Sequence, residues 1–365
     1  MQSMKPIVVV TGTRPEIIKM APIIRALNKA KLPSVFVHCG QHYDYNMAQQ
    51  FIENLELAKP DHWLDIKATS PGSQTGEILI KMDELLGEID PSILLVEGDT
   101  NTVLSAALAA NKRAVSIGHV EAGLRSFDLR MPEEHNRRLT DHISDYLFAP
   151  TERAKANLTK ESAWGKIFIT GNTSIDAVKE HMPIAEKKSK IMNEIHFEKY
   201  LLATAHRAEN VDNPTVLQSF MKVFEESPLP IVYPMHPRTR KRLQENNMLS
   251  KIENMKNVLT LPPTGYLDFL ILMKNCQLLI TDSGGIQEEA TAPSIRKPVL
   301  VIRLSTERQE AVEAGFARVV GTDKNGILAA LNEVVAKEES LPFTSPFGDG
   351  TAAKKTVEII KKGFI

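Results

Sequence analysis

The sequence predicts an α/β protein with two Rossmann-like domains, each built on a doubly wound parallel sheet, that face a cleft between them. Apolar runs of strand length alternate with amphipathic helical segments along most of the chain, which is typical of repeated βα units with right-handed crossovers. Several of these runs are uninterrupted, as expected for parallel strands buried on both faces. The chain has 365 residues, too many for one ordinary core and enough for two domains of similar size.

The candidate strands form two series separated by a polar, lysine-rich stretch. The first series is residues 7–10, 35–39, 93–96, 114–117 and 167–169, and the second is 201–204, 230–233, 258–261, 278–281, 299–302 and 318–320. The helix after the first strand is expected to begin at Pro15, with Ile17, Ala21, Ile24 and Leu27 on one face. The stretch 183–199 is the expected linker, so the predicted domains are 1–172 and 173–350. The last helix, within 351–365, is expected to pack back on the first domain.

Composition excludes several classes of protein. The net charge is −1 with 24% charged residues, so neither a basic surface for nucleic acid nor an acidic tail is predicted. No run approaches the roughly 18 apolar residues of a membrane span, and residues 1–6 are too short for a signal peptide. Cys39 and Cys276 lie far apart in apolar stretches and are expected to be reduced thiols, which favours a cytoplasmic protein.

The sequence also lacks several cofactor and catalytic motifs. There is no GxGxxG, GxxxxGK[ST], GxSxG or CxxC motif. Their absence argues against a dehydrogenase, a P-loop enzyme, a serine hydrolase and a zinc ribbon, and we predict no cofactor.

The most informative motif follows the candidate strand 278–281. It opens a predicted helix and reads Asp282-Ser283-Gly284-Gly285-Ile286-Gln287-Glu288-Glu289. Small residues at such a turn expose backbone N–H groups and let a phosphate approach them. Glu289 lies one to two turns into the helix, where its carboxylate could accept both hydroxyls of a ribose. The motif therefore predicts a nucleotide site, and a plain tight turn with a solvated Glu289 is the alternative.

Other polar residues concentrate at the carboxyl ends of the candidate strands, where open α/β sheets bind ligands. They are Arg14, Lys19, Glu97, Asp99, His119, Glu121, Arg125, His206, Arg207, His236 and Arg238. Structural alternatives stay open: Asp99 as a helix N-cap, His119 as an orienting or packing residue, and Glu133 as a residue that favours a helix N-terminus. A zinc site from Asp99, His119, His206 and His236 lacks tight ligand spacing, so no metal is predicted.

The ordered set of motifs resembles the non-hydrolysing UDP-N-acetylglucosamine 2-epimerases from about residue 7 to about residue 325. The motifs are Gly12-Thr13-Arg14-Pro15-Glu16-Ile17-Ile18-Lys19, Gly98-Asp99-Thr100, His119-Val120-Glu121-Ala122-Gly123-Leu124-Arg125, Pro132-Glu133-Glu134 with Asn136-Arg137, Gly171-Asn172-Thr173, His206-Arg207, Ser283 to Glu289, and Thr306-Glu307-Arg308. The resemblance implies a two-domain fold of the GT-B type with the active site in the interdomain cleft.

The resemblance also implies roles for individual residues. Asp99, Glu121 and Glu133 match the acids implicated in proton transfer, and His206 matches a histidine important for turnover. The remaining matches concern UDP-sugar binding. Arg14 matches a phosphate-binding arginine, Ser283, Gly284 and Gly285 match the pyrophosphate-binding turn, and Glu289 matches the ribose-binding carboxylate. Lys19, Arg137 and Arg308 match further charged groups, and His236 is a binding candidate because of its position at a strand end. Gln41 and His42 fall in a segment associated with a second, activating UDP-N-acetylglucosamine. Family members are usually homodimers.

The sequence departs from the family pattern at several points. Glu97 stands before Gly98 where histidine or glutamine is common, and His206-Arg207 continues as Ala208-Glu209-Asn210 where many members have a second arginine. Gln309 replaces a usual proline, and the stretch 291–297 is longer than usual. None of these departures removes a matched acid, base or phosphate ligand, although Glu97 adds a carboxylate beside Asp99 and leaves the sugar specificity open.

The predicted reaction is reversible epimerisation at C2 of UDP-N-acetylglucosamine, which would feed surface polysaccharide synthesis. The resemblance implies anti elimination of UDP to 2-acetamidoglucal and syn re-addition, without a cofactor. The alternatives are a hydrolysing relative that releases N-acetylmannosamine, a GT-B glycosyltransferase that needs an acceptor, and a non-catalytic UDP-sugar sensor. The set Asp99, Glu121 and Glu133 argues against the last two, since neither needs three such acids.

Overall fold

The computed structural model describes residues 4–40, 45–337 and 340–364. It divides into two compact units: unit 1 comprises Met1–Ala177 and Phe347–Ile365, and unit 2 comprises Val178–Pro346. The division falls within a helix, Thr173–Lys188. The first part of the expected linker, residues 183–188, is therefore helical. Met182 and Ala185 are buried, so this helix keeps an apolar face beyond Pro183.

Unit 1 is a seven-stranded parallel sheet in the order β3-β2-β1-β4-β5-β6-β7. Its strands are β1 (Ile7–Thr11), β2 (Ser34–His38), β3 (His62–Trp63), β4 (Ile93–Glu97), β5 (Ser116–Val120), β6 (Tyr146–Ala149) and β7 (Lys166–Ile169). The helices that alternate with them are α1 (Arg14–Lys29), α2 (Tyr45–Asn54), α3 (Pro71–Ile89), α4 (Asn101–Lys112), α5 (Pro132–Ile143), α6 (Glu152–Lys160) and α7 (Thr173–Lys188).

Unit 2 is a six-stranded parallel sheet in the order β10-β9-β8-β11-β12-β13. Its strands are β8 (Leu201–Thr204), β9 (Ile231–Pro234), β10 (Val258–Leu261), β11 (Leu279–Thr281), β12 (Val299–Val301) and β13 (Ala317–Val319). Its helices are α8 (Ala208–Val211), α9 (Pro214–Glu225), α10 (Pro237–Glu245), α11 (Leu249–Glu253), α12 (Tyr266–Asn275), α13 (Gly284–Glu289), α14 (Gln309–Glu313) and α15 (Lys324–Ala336), with a 3₁₀ turn at Ile191–Glu194.

The last helix, α16 (Ala352–Phe364), belongs to unit 1 and packs against α1. Its first turn is held by Asp176, whose carboxylate accepts the N–H groups of Ala352 and Ala353 at 3.1 and 2.9 Å. A carboxylate at a helix N-terminus satisfies N–H groups that have no partner inside the helix.

The central strands of both sheets explain the uninterrupted apolar runs. Every residue of β1 and of β4 is buried, as expected where helices cover both faces of a parallel sheet. The strand order reverses between β1 and β4 in unit 1 and between β8 and β11 in unit 2. Such a reversal opens a crevice at the carboxyl ends of the two strands, where doubly wound folds bind ligands.

Two strands were missed by the sequence analysis, and a third starts two residues later than predicted. Strand β3, which has two residues, and strand β6, which has four, were not predicted. Strand β5 starts at Ser116 rather than residue 114, since Ala114 has a φ of +54° and belongs to the preceding turn. This shift places His119 inside the strand rather than after it. Among the described residues, no helix combines the length and the hydropathy needed to cross a bilayer.

Candidate active site

The turn between β1 and α1 is tight and rests on a buried carboxylate. A Cβ atom added to Gly12 would lie 2.1 Å from Thr102 Oγ1 on α4, so only glycine fits there. Glu16 is 2% exposed. Its carboxylate accepts the Gly12 N–H at 2.6 Å and the Thr13 hydroxyl at 3.0 Å, an arrangement related to a capping box. The turn thereby fixes the start of α1 and the position of Arg14, its first residue.

A cavity of about 650 Å³ in unit 1 opens beside this turn. Three of the predicted site residues line it: Arg14, Asp99 and Glu133. Arg14 is exposed, and its guanidinium carbon lies 5.8 Å from the centre of the Phe51 ring. The remaining lining residues are Gly12, Thr13, Ile17, His38, Cys39, Gly40, Ala48, Pro71, Gln74, Thr100, Asn101, Thr102, Pro132 and Asn136. A cation and two acids therefore share one concave surface.

Asp99 follows β4 and is oriented by residues of α5. Its carboxylate forms an ion pair with Arg137, whose Nε donates at 3.1 Å. The Asn136 side chain donates to the Asp99 carbonyl at 2.9 Å. Arg137 also donates to the fully buried Glu134 at 3.0 Å. Asp99 is thus an oriented, partly exposed carboxylate, and Thr100 rather than Asp99 is the N-cap of α4.

Lys19 links α1 to two carboxylates at the ends of β4 and β5. Its ammonium group forms a close ion pair with Glu121 and lies 3.3 Å from Glu97 Oε1. The Asn172 amide donates to Glu121 at 2.8 Å. Glu121 has a φ of +67°, a left-handed conformation that a non-glycine residue adopts only under constraint. Three motifs far apart in the sequence therefore converge on Glu121.

Burial changes the acidity of this group of carboxyls. Burial raises the pKa of Glu16 to about 7, against hydrogen bonds from Thr100, Gly12 and Thr13 that lower it. Burial likewise raises the pKa of Glu97 well above its usual value; Lys19 opposes this rise and Glu121 adds to it. Both shifts follow from removing a charge from water into an apolar interior.

His119 does not face the cavity. It is fully buried, with Nδ1 2.7 Å from Asp141 Oδ1 and Nε2 2.8 Å from the Gly98 carbonyl oxygen. Asp141 also forms an ion pair with Arg125 at 2.7 Å, so His119 and Arg125 belong to a structural network that holds the loop before Asp99. Within residues 4–40, 45–337 and 340–364, no cluster of three or more His, Cys, Asp or Glu side chains is arranged to hold a metal ion.

In unit 2, Asp282 organises the loop after β8. Asp282 is fully buried, and its Oδ2 accepts the backbone N–H groups of His206 and Arg207, each at 2.9 Å. The Asn210 amide donates to the same atom at 3.0 Å. The imidazole Nδ1 of His206 lies 3.2 Å from the other oxygen, Oδ1. Asn210 is therefore part of the support for His206.

His236 lies beside His206 at the next strand end. Their ring centres are 5.4 Å apart. His236 Nδ1 accepts the N–H of Arg238 at 3.2 Å and caps α10. Partial burial is the main cause that lowers the pKa of His236, and the charge of the neighbouring His206 lowers it further. The two imidazole rings, together with Arg207, therefore lie at the carboxyl end of the unit 2 sheet.

The Ser283–Gly285 turn lies at the same end of that sheet. A Cβ on Gly284 would lie 2.7 Å from Glu307 Oε1, whereas a Cβ on Gly285 would meet nothing within 4 Å among the described residues. Gly284 is therefore needed for packing, whereas the space beside the Gly285 Cα is free of described atoms. Glu289, in the last turn of α13, is half-buried. Burial, and then the charge of Glu289, raises the pKa of Tyr266 well above its usual value.

Arginines and buried acids support the turn from behind. Glu307 accepts from Arg303 at 2.8 Å and lies 3.4 Å from Arg207 and 3.7 Å from Arg308. Arg308 also forms an ion pair with the fully buried Glu288. Burial raises the pKa of Glu307, but the three arginines outweigh it and bring the pKa to about 2. Glu307 is thus ionised at neutral pH and fixes the cationic side of the site.

The structure groups the predicted site residues within the two units. Unit 1 brings together Arg14, Lys19, Asp99, Glu121, Glu133 and Arg137, and unit 2 brings together His206, His236, Ser283, Gly284, Gly285, Glu289 and Arg308. Gln41 and His42, predicted for a second UDP-sugar, lie outside the described residues.

The sequence did not single out three supporting acids, Glu16, Asp282 and Glu307. For Glu16 a signal was present, because Thr13-Arg14-Pro15-Glu16 has the spacing of a capping box. For Asp282 the partners His206, Arg207 and Asn210 are distant in the chain, so sequence spacing carries no signal. Glu307 pairs with the nearby Arg303 and Arg308, but its third partner, Arg207, is distant in the chain.

Comparisons with known proteins agree with the fold and the motifs. A family model described as UDP-N-acetylglucosamine 2-epimerase matches residues 25–361. The UDP-N-acetylglucosamine 2-epimerase of Methanocaldococcus jannaschii is 44% identical, over 97% of this chain and 98% of that protein. A crystal structure of the enzyme from the same organism, in complex with UDP-GlcNAc and UDP, has a TM-score of 0.89 and 43% identity and covers 98% of this chain and 100% of its own.

A relative with a different sugar is also similar. The UDP-2,3-diacetamido-2,3-dideoxy-D-glucuronate 2-epimerase of Pseudomonas aeruginosa is 36% identical over 98% of this chain and 99% of that protein. Similarity of this extent therefore includes enzymes that are named for more than one UDP-sugar.

Proposed function

Because this chain belongs to the UDP-N-acetylglucosamine 2-epimerase family, we propose that it converts UDP-N-acetylglucosamine reversibly into UDP-N-acetylmannosamine. The observation that carries this proposal is the set of acids at the carboxyl end of the unit 1 sheet. Asp99 and Glu133 line the cavity, and Glu121 is held by Lys19 and Asn172 close to the same strand ends. A protein that only bound UDP would not need these groups.

The chemistry explains why both an anion site and several acids are needed. The C2–H bond of the sugar is not acidic, because no carbonyl group is attached to that carbon. If the bond from C1 to the UDP oxygen breaks first, positive charge at C1 acidifies the C2 proton. UDP is an anionic leaving group, so cationic and N–H contacts to its pyrophosphate lower the barrier.

We assign the leaving group to unit 2 and to Arg14. The free space beside Gly285, with Ser283 near it, is suited to the oxygens of a pyrophosphate. Glu289 is suited to the ribose hydroxyls, and Arg308 and His236 supply further polar contacts. His206, fixed by Asp282, is proposed to assist turnover at this end of the nucleotide.

We assign proton transfer to Asp99, Glu121 and Glu133. Anti elimination yields UDP and 2-acetamidoglucal, with the C2 proton passing to a carboxylate. Syn re-addition of UDP then needs a proton delivered to the opposite face of C2, from a second acid or to a reoriented intermediate. The product leaves with UDP attached, which is the non-hydrolysing outcome. Lys19 and Arg137 hold two of these acids in place.

A product assay tests the proposal and separates it from hydrolysis. The protein is incubated with UDP-N-acetylglucosamine, and nucleotide sugars, free sugars and UDP are separated and quantified. We expect UDP-N-acetylmannosamine to accumulate to a constant ratio, and the same ratio to be reached from the product side. Stoichiometric release of N-acetylmannosamine and UDP would contradict the non-hydrolysing reaction.

We propose a neutral amino sugar rather than a uronate as the preferred substrate. The cavity of unit 1 contains the acids Asp99 and Glu133 and one arginine, Arg14, among its lining residues. An added carboxylate on the sugar would be repelled by such acids. In a competition assay, UDP-2,3-diacetamido-2,3-dideoxy-D-glucuronate should therefore turn over more slowly than UDP-N-acetylglucosamine, and the reverse order would contradict this preference.

We further propose that the enzyme is a cytoplasmic homodimer that supplies surface polysaccharide synthesis. The dimer and the pathway are suggested by the family resemblance. The cytoplasm is favoured because Cys39 and Cys276 are both buried free thiols. Light scattering of the purified protein at several concentrations tests the dimer, and a constant monomer mass would contradict it.

A further inference from the structure

Glu97 is a buried carboxyl group that the reaction described above does not use. It is the last residue of β4, in the middle of the unit 1 sheet, and it is 2% exposed. Its Oε1 atom lies 3.3 Å from the Lys19 ammonium nitrogen and makes no well-oriented hydrogen bond in the part of the chain that the structure describes. The same ammonium group forms a closer ion pair with Glu121.

One ammonium group therefore faces two carboxyl groups inside the protein. If both carboxyls were ionised, the group would carry a net negative charge with little water to screen it, which is strongly unfavourable. The contacts show which of the two is better suited to carry charge. Glu121 receives the close Lys19 contact and a hydrogen bond of 2.8 Å from Asn172. Glu97 has only the longer Lys19 contact among these.

We propose, resting on the epimerase function above, that Glu97 is a positioning residue: its carboxyl group stays neutral in the active enzyme and leaves the Lys19 ammonium to an ionised Glu121. Glu121 then keeps a fixed orientation and a full charge, as a proton acceptor requires. An ionised Glu97 would draw Lys19 toward itself and place a second negative charge beside Glu121.

The surroundings of Glu97 support this protonation state. Burial is the main cause that raises its pKa, and the charges of Glu121 and of Glu16 on α1 raise it further, while Lys19 lowers it. On β5, the His119 ring faces Asp141 and the Gly98 carbonyl instead. Because the pKa of Glu97 is raised, the neutral form is present at lower pH and is lost as the pH rises through that pKa. Activity should fall on the alkaline side in parallel.

The test is the pH dependence of kcat/KM for Glu97→Gln, which keeps the shape of the neutral form and cannot ionise. We expect kcat/KM near the optimum to stay within about threefold of the wild type. The alkaline fall should move up by at least about one pH unit, which corresponds to a tenfold difference in kcat/KM where one titrating proton governs the profile. Glu97→Asp keeps a titrating carboxyl and should keep an alkaline fall. Superimposable profiles of wild type and Glu97→Gln would overturn the proposal.

A loss of kcat of about 100-fold in Glu97→Gln at every pH would also overturn it, because the charge of Glu97 would then be required. Infrared spectroscopy of the full-length protein without substrate gives a readout that does not depend on activity. The wild-type spectrum near neutral pH should contain the band of a protonated carboxylic acid that Glu97→Gln lacks, and its absence from the difference spectrum would refute a neutral Glu97. If the protein failed to epimerise the sugar, this spectrum would still decide the protonation state. Asp83→Asn, at a half-buried acid of α3 that is paired with Arg113, is the matched control and should change neither readout.

Discussion

Asp99 is the acid whose contacts most clearly separate a catalytic role from a structural one. It lines the cavity, stays partly exposed and is oriented by Arg137. Asp99→Asn keeps the size and an acceptor for Arg137 but removes proton transfer, so we expect kcat to fall by about 10²- to 10⁴-fold with a smaller change in KM. Steady-state kinetics measures this, with Asp83→Asn as the control that should retain wild-type activity. Full epimerase activity in Asp99→Asn would remove Asp99 from the proposed acid–base set.

Substitution of Glu307 tests the charge network behind the proposed nucleotide site. Its folded pKa is about 2 against an ordinary value of 4.5. A depressed pKa means that the ionised form stabilises the folded state above about pH 4.5 and that this contribution is lost as the pH falls toward 2. Glu307→Gln leaves three arginines without that charge, so we expect the free energy of unfolding at pH 7 to fall by about 3–5 kcal/mol.

The measurement for Glu307→Gln is urea-induced unfolding at a series of pH values. The difference between wild type and variant should be largest near pH 7 and should shrink as the pH drops below about 4.5, where the Glu307 carboxylate of the unfolded wild-type chain begins to take up a proton while that of the folded chain does not. A difference that stays constant down to pH 3 would show that the contribution of Glu307 is not electrostatic.

At the scale of elements, the β1–α1 turn depends on the close approach of α4. A Cβ on Gly12 would overlap Thr102 Oγ1 at 2.1 Å. Gly12→Ala should therefore lower the free energy of unfolding by about 1–3 kcal/mol, as overpacking does, and should raise KM because Arg14 begins the displaced helix. Gly76→Ala in α3 is the matched control, since a Cβ there meets nothing within 4 Å.

Thermal and urea unfolding compare the two alanine variants. Gly76→Ala should be stabilising by about 1 kcal/mol, because alanine favours the helix interior over glycine, and it should leave KM unchanged. If Gly12→Ala were as well tolerated as Gly76→Ala, the turn would not be fixed by contact with α4.

The elements also show where sequence patterns are reliable. The helix predicted from Pro15 is α1, with Ile17, Ala21, Ile24 and Leu27 buried as expected. Long periodic segments like this one are defined by many residues at once. Strand β3 is two residues at the sheet edge, too short for any periodicity. Strand β5 was displaced because Ala114 takes a left-handed turn conformation that its side chain does not signal.

For the whole molecule, the prediction of two parallel α/β sheets is confirmed by the structure and by its likeness to solved UDP-GlcNAc 2-epimerases. The sequence also selected polar residues that the structure brings together within each unit, because strand ends bring distant motifs together in a doubly wound sheet. It missed supporting acids such as Asp282, whose partners His206 and Asn210 lie more than 70 residues away in the chain. Which acids face a cavity and which are buried, as with Glu133 and Glu134, also depends on tertiary packing.

Nucleotide binding should be visible in one part of the molecule before any chemistry occurs. We expect saturating UDP to slow amide hydrogen exchange at residues 205–210 and 281–289 of unit 2, which surround the Ser283–Gly285 turn. At 100 times its Kd, UDP should stabilise the fold by about 2.7 kcal/mol. Inorganic phosphate at the same concentration is the control for non-specific anion effects. Protection confined to unit 1 would contradict the assignment of UDP to unit 2.

The most direct test of the central claim is proton NMR of the purified enzyme with UDP-N-acetylglucosamine in D₂O. Our account predicts that UDP-N-acetylmannosamine appears with deuterium at C2 and with the nucleotide still attached, since the C2 proton passes through an enzyme acid in exchange with solvent. Epimerisation that retains the original C2 proton throughout, or free N-acetylmannosamine with UDP as the products, would contradict it.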